Sequence, residues 1–336
     1  MANIFIMGAG GFGTALGIMA NKASHNVTLW SPFEEEVTQL SSTRRQKLLP
    51  GVEIPEEIKV TSSLENLAVQ DLIIIAVPSV AVRPTARLIA GKISSGTVLA
   101  CVSKGLEAES CMTLSEVLEE ELPATRQVMI SGPSHAEELS RGTPTTVVAA
   151  SRSRKASEYV QDILSGDTLR IYASDDVIGV EIGGALKNVI ALAAGILDGL
   201  GAGDNTKAAL MTRGIAEIAR LGVVLGAKTE TFAGLSGIGD LIVTCSSMHS
   251  RNRRCGILIG KGTPPKEAVA QIGMTVEGYA SAKTAYLLSQ KYKIEMPITA
   301  EVYYTLYEGK AVESAVRDLM KREARHESEA VWLLSR

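Results

Sequence analysis

Six residues close to the start of the chain, Gly8-Ala9-Gly10-Gly11-Phe12-Gly13, most narrow what its N-terminal half can fold into. An apolar run of strand length over 3–7 leads into them, and a stretch over 12–22 with helical character follows. In a strand–turn–helix setting, Gly8 allows the tight turn and Gly10 lets the backbone approach a ligand. Gly13 lets the helix pack closely on the strand. The N-terminus of the helix is then ready to hold a diphosphate. A glycine-rich turn that binds nothing shows the same pattern, so the rest of the chain has to decide.

Further apolar runs of strand length lie over 26–30, 72–77, 97–102 and 128–131, separated by helical stretches over 80–90 and 112–121. Near-continuous apolar strands alternating with helices predict a parallel sheet covered on both faces. Runs over 145–150 and 169–172 extend it. Beyond Asp175 the period changes, and 178–197, 206–225, 264–271, 278–291, 299–308 and 311–321 all favour helix. At 336 residues the chain is longer than one hydrophobic core usually supports. The expected architecture is α/β: a Rossmann-type parallel sheet over 1–175, followed by an all-helical domain over 176–336.

A net charge of −3 and a pI near 5.9 argue against general nucleic-acid binding, which leaves a basic footprint. The apolar stretch 189–197 is too short to span a bilayer, and no basic leader precedes the first strand. Stable membrane insertion is therefore not expected. Cys101, Cys111, Cys245 and Cys255 are scattered, which suits reduced thiols in a cytoplasmic protein. Cys245, His249 and Cys255 match no zinc spacing, so no metal is expected.

Three segments carry chemistry. In Glu181-Ile182-Gly183-Gly184-Ala185-Leu186-Lys187-Asn188, the lysine shares a helix face with 180, 184, 191 and 194, which are Val, Gly, Ala and Ala. A lysine on such a small-residue stripe can be approached closely, and if desolvated it can exchange a proton with an alcohol or carbonyl oxygen. A lysine that snorkels to solvent is the plainer reading of a lone Lys. Lys104 follows the run 98–101, beyond the carboxyl end of a strand where open α/β sheets bind ligands. Its charge near Lys187 would lower the pKa of the latter. In His249-Ser250-Arg251-Asn252-Arg253-Arg254, an Arg and an Asn at a helix start offer directed donors for phosphate oxygens.

Together these segments resemble the bacterial-type NAD(P)-dependent glycerol-3-phosphate dehydrogenase family. The matching stretches include GAGGFGTAL, SKGLE, SGPSHAEEL, GVEIGGALKNVIALAAGILDGLGAGDNTKAAL, GLSGIGDLIVTC, SRNRRCG and EMPITAEVYYTLYEG, in order from about residue 3 to 309. The resemblance implies reversible hydride transfer between C2 of sn-glycerol 3-phosphate and a nicotinamide. In the cell this mainly reduces dihydroxyacetone phosphate for glycerophospholipid synthesis. It implies Lys187 as general acid and base, and Lys104 as a lysine that touches substrate and cofactor. Gly132, Ser134, Asp240, Ser250, Arg251 and Asn252 match substrate contacts. Gly11, Phe12, Ala136, Thr275 and Glu277 match cofactor contacts, with Arg251 shared between the two ligands.

The second strand ends Thr28-Leu29-Trp30-Ser31, with no carboxylate at its tip to reject a 2′-phosphate and no adjoining Arg to welcome one. Glu34, Glu35 and Glu36 read as a solvated helix start, and use of either NAD or NADP is expected. Ser31 and Pro32 stand where many relatives carry a basic residue or His. His135 stands where Phe is common, and Cys255 where Phe or Tyr is common. The partner set is a small phosphorylated substrate, with a homodimer as the candidate assembly. Rival readings are another two-domain hydroxyacid dehydrogenase and a dinucleotide sensor without turnover.

Overall fold

The computed structural model describes residues 1–323; residues 324–336, the end of the helical unit expected over 176–336, lie outside the described residues. Its organising turn is the glycine segment. Gly8 has φ +121°, and a Cβ there would sit 2.5 Å from the Ala76 carbonyl oxygen. A Cβ on Gly13 would run into the carbonyl oxygen of Gly8. Only glycine lets strand β1 (Asn3–Met7) turn directly into the helix Gly11–Lys22.

Seven further strands join β1: β2 (Asn26–Trp30), β3 (Lys59–Thr61), β4 (Leu72–Ile75), β5 (Val98–Cys101), β6 (Arg126–Ser131), β7 (Thr145–Ala150) and β8 (Leu169–Ser174). They form one sheet in the order β3-β2-β1-β4-β5-β6-β7-β8. Successive residues of β1 show why both faces are covered. Ile4 and Ile6 enter one apolar core with Leu72 and Ile74, while Phe5 and Met7 enter another with Ile73 and Ile75.

One strand pair departs from the expected parallel arrangement: β6 and β7 are antiparallel. Their connection holds a single short helix, Ala136–Ser140, which stays at the carboxyl end of β6, so the chain enters β7 from that end. Strand β3 and the helix Arg154–Leu164 were not read from the sequence. The first is three residues at the sheet edge; the second was missed although Ala156, Ser157, Val160 and Leu164 recur at helical spacing and are buried on one face.

Beyond β8 the described residues form helices. The helix Val177–Gly199 is the axis of a third core. By length and composition it could cross a membrane, but 94% of its most apolar window is buried inside the protein. The five other long stretches expected to be helical appear as Asp204–Val224, Pro265–Ile272, Glu277–Tyr292, Pro297–Tyr307 and Val312–Met320. Two further helices, Asp240–Ser246 and Arg251–Gly260, pack on the axial helix. The second crosses it closely because of glycine: a Cβ on Gly195 would strike the Arg253 carbonyl oxygen, and one on Gly256 that of Leu192. Gly199 and Gly260 continue the same seam.

Buried carboxylates tie the helices to their surroundings. Glu181 accepts from the backbone N–H of Ser115 (2.9 Å) and from its hydroxyl, joining the axial helix to the helix Leu114–Glu121. Glu217 accepts from the N–H groups of Ile298 (2.6 Å) and Thr299 (3.1 Å), capping Pro297–Tyr307. Burial pushes the Glu181 carboxyl up to about 7. In the unfolded chain it ionises near the ordinary Glu value, so its contribution is full below that value and is lost as pH rises through about 7. Glu181→Gln keeps both contacts, because the Ser115 hydroxyl can accept from the new amide. The variant is expected to match the wild type in thermal unfolding below about pH 4.5 and to gain on it progressively up to neutrality, by on the order of 3 kcal/mol. A constant difference across that range in a melting series would refute the burial argument.

Candidate active site

The carboxyl end of the parallel strands, where the glycine turn lies, is also where the two sequence-selected lysines meet. Lys104 follows β5, and its Nζ donates to the carbonyl of Gly132 beyond β6 (2.8 Å). The Ser134 hydroxyl lies at 3.5 Å. Lys187 reaches the same place from the axial helix. Between the two ammonium groups sits one carboxylate. Asp240 binds Lys104 through Oδ2 (2.7 Å) and Lys187 through Oδ1.

The small-residue stripe has a direct consequence here. A Cβ on Gly184 would lie 2.5 Å from Ser131 Oγ and 3.7 Å from Lys104 Cγ. Glycine at that position therefore lets the sheet edge and Lys104 close onto the helix that carries Lys187. Lys187 is 6% exposed and Asp240 1%. Burial lowers the Lys187 pKa to about 8; Asp240 opposes that fall and Lys104 adds to it. Burial alone would raise the Asp240 carboxyl, but the two lysines outweigh it and hold its pKa below the ordinary value. The result is a fixed anion between two cations, one of which can lose its proton near neutral pH.

Thr244 completes the cluster and was not singled out from sequence. Its hydroxyl donates to the Asp240 carbonyl (2.6 Å) and accepts from Lys187 Nζ (2.8 Å). The signal was present: Thr244 stands one helical turn after Asp240 on Asp240–Ser246, so both side chains share a face. Asn188 was also passed over, although it adjoins Lys187. Its Oδ1 accepts from Asn252 Nδ2 (2.9 Å), and Asn252 Oδ1 accepts from the Gly278 N–H (2.8 Å).

The remaining expected substrate contacts divide by what they already hold. Asn252 is a clamp between two helices and keeps one free amide hydrogen for a ligand. Ser250 caps its own helix by accepting from the Arg253 N–H (3.2 Å). Arg253 is occupied by Asp198 at 2.7 Å. Arg251 is different: among the described residues its guanidinium makes no hydrogen bond or ion pair. Burial lowers its pKa, while Glu277 and Glu137 oppose that fall. A half-buried guanidinium without a partner is suited to an anion brought from outside. His135, whose ring lies 5.6 Å from that of His249, has a buried Nε2 with no partner.

The expected cofactor contacts fall on both sides of the cleft. Gly10 caps the helix Gly11–Lys22 without any side chain, so the first N–H groups, at Gly11, Phe12 and Gly13, have no acceptor in the helix. A Cβ on Gly11 would lie 3.8 Å from that of Ala136, which brings these two positions together. Phe12 packs half-buried against the core under the turn. From the helical side, Glu277 accepts from Ser79 N–H (3.0 Å) and Ser79 Oγ (2.5 Å), reaching the loop after β4. Thr275 lies two residues before it and makes no hydrogen bond among the described residues. A side-chain-free turn, unpaired N–H donors and a helix N-terminus fit the diphosphate of a dinucleotide.

The comparisons with known proteins agree with this geometry. Residues 3–157 match the family model for the N-terminus of NAD-dependent glycerol-3-phosphate dehydrogenase, and residues 176–317 match the model for its C-terminus. The glycerol-3-phosphate dehydrogenase [NAD(P)+] of Moorella thermoacetica is 52% identical over 331 residues, covering 98% of each chain. That of Agathobacter rectalis is 49% identical over 329 residues, 97% of this chain and 98% of the relative. The crystal structure of glycerol-3-phosphate dehydrogenase from Coxiella burnetii superposes with a TM-score of 0.92 at 39% identity, covering 96% of this chain and 99% of that one. On fold, motif order and full-length identity, the chain belongs to the NAD-dependent glycerol-3-phosphate dehydrogenase family.

Proposed function

We propose that this chain interconverts sn-glycerol 3-phosphate and dihydroxyacetone phosphate by hydride transfer with NAD or NADP, running mainly as the reductase that supplies glycerophospholipid synthesis. The observation that carries this reading is the buried Lys104–Asp240–Lys187 cluster beside a glycine turn built for a dinucleotide. We place the division of labour at residue 175: the unit over 1–175 holds the cofactor, and the unit over 176–336 supplies most of the substrate site. Four unpaired cysteines suit a reducing cytoplasm.

The nicotinamide, when bound, supplies or accepts the hydride. The protein's part is the proton and the geometry. Oxidation requires a base for the C2 hydroxyl, and reduction an acid for the carbonyl oxygen. Lys187 serves both, because burial keeps its pKa close to working pH. Asp240 and Thr244 hold its Nζ in place, so that the ammonium is aimed rather than free to turn. Lys104 brings a second positive charge against the reacting oxygen, stabilising negative charge that develops there. Arg251, with the free amide hydrogen of Asn252, binds the phosphate. Lys104 and Arg251 together favour a dianionic substrate over its uncharged analogue. Gly8, Gly10, Gly11, Phe12 and Gly13 cradle the diphosphate, with Ala136, Thr275 and Glu277 lining the rest of the cofactor cleft.

The decisive measurement is the initial rate of NADH and NADPH oxidation with dihydroxyacetone phosphate, set against unphosphorylated dihydroxyacetone. Turnover is expected only with the phosphorylated substrate; comparable rates with both would overturn the role of Arg251. Lys187→Ala is expected to lower kcat by about 10²–10⁴-fold in both directions while dinucleotide binding is retained. Undiminished turnover in that variant would remove Lys187 from the proton transfer, and no turnover in the wild type despite dinucleotide binding would return the site to the sensor reading.

The pH dependence has opposite signs in the two directions. Reduction needs the ammonium and falls as pH rises through about 8, whereas oxidation needs the free amine and rises through the same region. Lys104→Met removes a neighbouring positive charge that lowers the Lys187 pKa, so both midpoints are expected to move to higher pH. Profiles of kcat against pH for the variant and the wild type decide this. A midpoint that stays put would separate Lys104 from the tuning of Lys187.

A further inference from the structure

The end of β2 holds a carboxylate that the linear sequence conceals. Trp30, the last residue of β2, is in register with Met7, and its carbonyl accepts from the Gly8 N–H at 2.9 Å. Ser31 follows it, so it lies beside the glycine turn, where this fold places the group that meets the adenosine ribose. Ser31 is 1% exposed as a residue, and its hydroxyl donates to Glu36 Oε2 at 2.5 Å. Ser31 Oγ in turn accepts from the Phe33 N–H at 3.2 Å. Glu36 is thus folded back from the first turn of the helix Glu34–Thr43 onto the strand tip, not directed into solvent. Glu34 turns back in the same way onto the Ser62 hydroxyl, and Glu35 completes a run of three carboxylates.

Nearby cations do not cancel that run. The Arg44 guanidinium is taken up by the backbone carbonyls of Ile54 (3.2 Å), Pro55 and Ile58 (2.9 Å). Arg45 and Lys47 are exposed, and among the described residues neither side chain forms an ion pair; Gln46 between them is buried, and its amide donates to the Ala9 carbonyl over the turn. A ribose 2′-hydroxyl can donate to a carboxylate, whereas a 2′-phosphate dianion brought to the same place meets like charge.

From this arrangement we infer that Ser31 and Glu36 form the ribose-selecting pair of this chain and make it prefer NAD(H) to NADP(H). The inference rests on the dinucleotide reading of the glycine turn and goes beyond it by assigning selectivity to two residues. The local charge sets the sign: the 2′-hydroxyl gains an acceptor, and the 2′-phosphate gains a repulsion that salt can screen.

The test is direct binding. The purified full-length protein, without substrate, is titrated with NADH and with NADPH by calorimetry or nicotinamide fluorescence, at low and at high salt. NADH is expected to bind about tenfold or more tightly than NADPH at low salt, with the ratio narrowing as salt rises. Glu36→Gln, whose amide oxygen can still accept from Ser31, is expected to tighten NADPH and to leave the melting temperature unchanged. Ser31→Arg with Glu36→Gln is expected to reverse the preference. Equal wild-type affinities would mean that Arg45 and Lys47 outweigh the carboxylates, and would overturn the inference. So would a ratio unchanged in Glu36→Gln. Failure of both dinucleotides to bind would overturn the glycine-turn reading itself, an outcome distinct from equal affinity.

Discussion

The structure turns on one carboxylate held between two lysines. Asp240 is almost wholly buried, and it can stay ionised there only because Lys104 and Lys187 both reach it. An ion cluster of this kind is a poor means of gaining stability, since removing three charges from water costs much of what their attraction returns. Its value lies in what it imposes on the surroundings. It holds Lys187 in a buried site, where desolvation brings its pKa down to about 8 against the pull of Asp240, and it pins the strand ends to the helical unit at the candidate site.

A second set of bonds serves the same junction. Glu277 crosses from the helical side to Ser79, while Asn252 joins Asn188 to the N–H of Gly278. Glu181 adds a third tie, from the axial helix to Ser115. These are polar groups bonded to polar groups across a seam that would otherwise depend on apolar packing. Each bond has a defined direction, so the seam has a preferred alignment, which apolar contact alone would leave loose.

The sequence disclosed the fold where its signals were long or chemically distinctive. The strand–glycine turn–helix start and the apolar strands were readable from period alone, as were the long helices beyond residue 175. Strand β3 and the β6–β7 antiparallel pairing were not, because three residues carry no period and a strand's direction is set by its connection. At the candidate site, Lys104, Lys187 and Asp240 were named from sequence and the structure gathers them into one bonded cluster. Thr244 was missed although its spacing from Asp240 announced it. Glu36 was misjudged as a solvated residue for a different reason: whether a glutamate in a first turn faces water or bends back to its own strand depends on the loop between them, and Ser31-Pro32-Phe33 has no periodicity to read. The helix-joining bonds of Asn252 were not foreseen, because its partners Asn188 and Gly278 lie far from it in the chain.

The glycine seam between the axial helix and Arg251–Gly260 has a consequence of its own. At Gly195, Gly199, Gly256 and Gly260 main chain lies against main chain, so no side chain can expand or relax to change the separation of the two helices. One of them carries Lys187 and the other Arg251. The spacing of the two backbones from which these side chains extend is therefore fixed, like the jaws of a locked caliper. A substitution that adds a side chain at this seam would have to move one helix, and with it the origin of Lys187 or of Arg251.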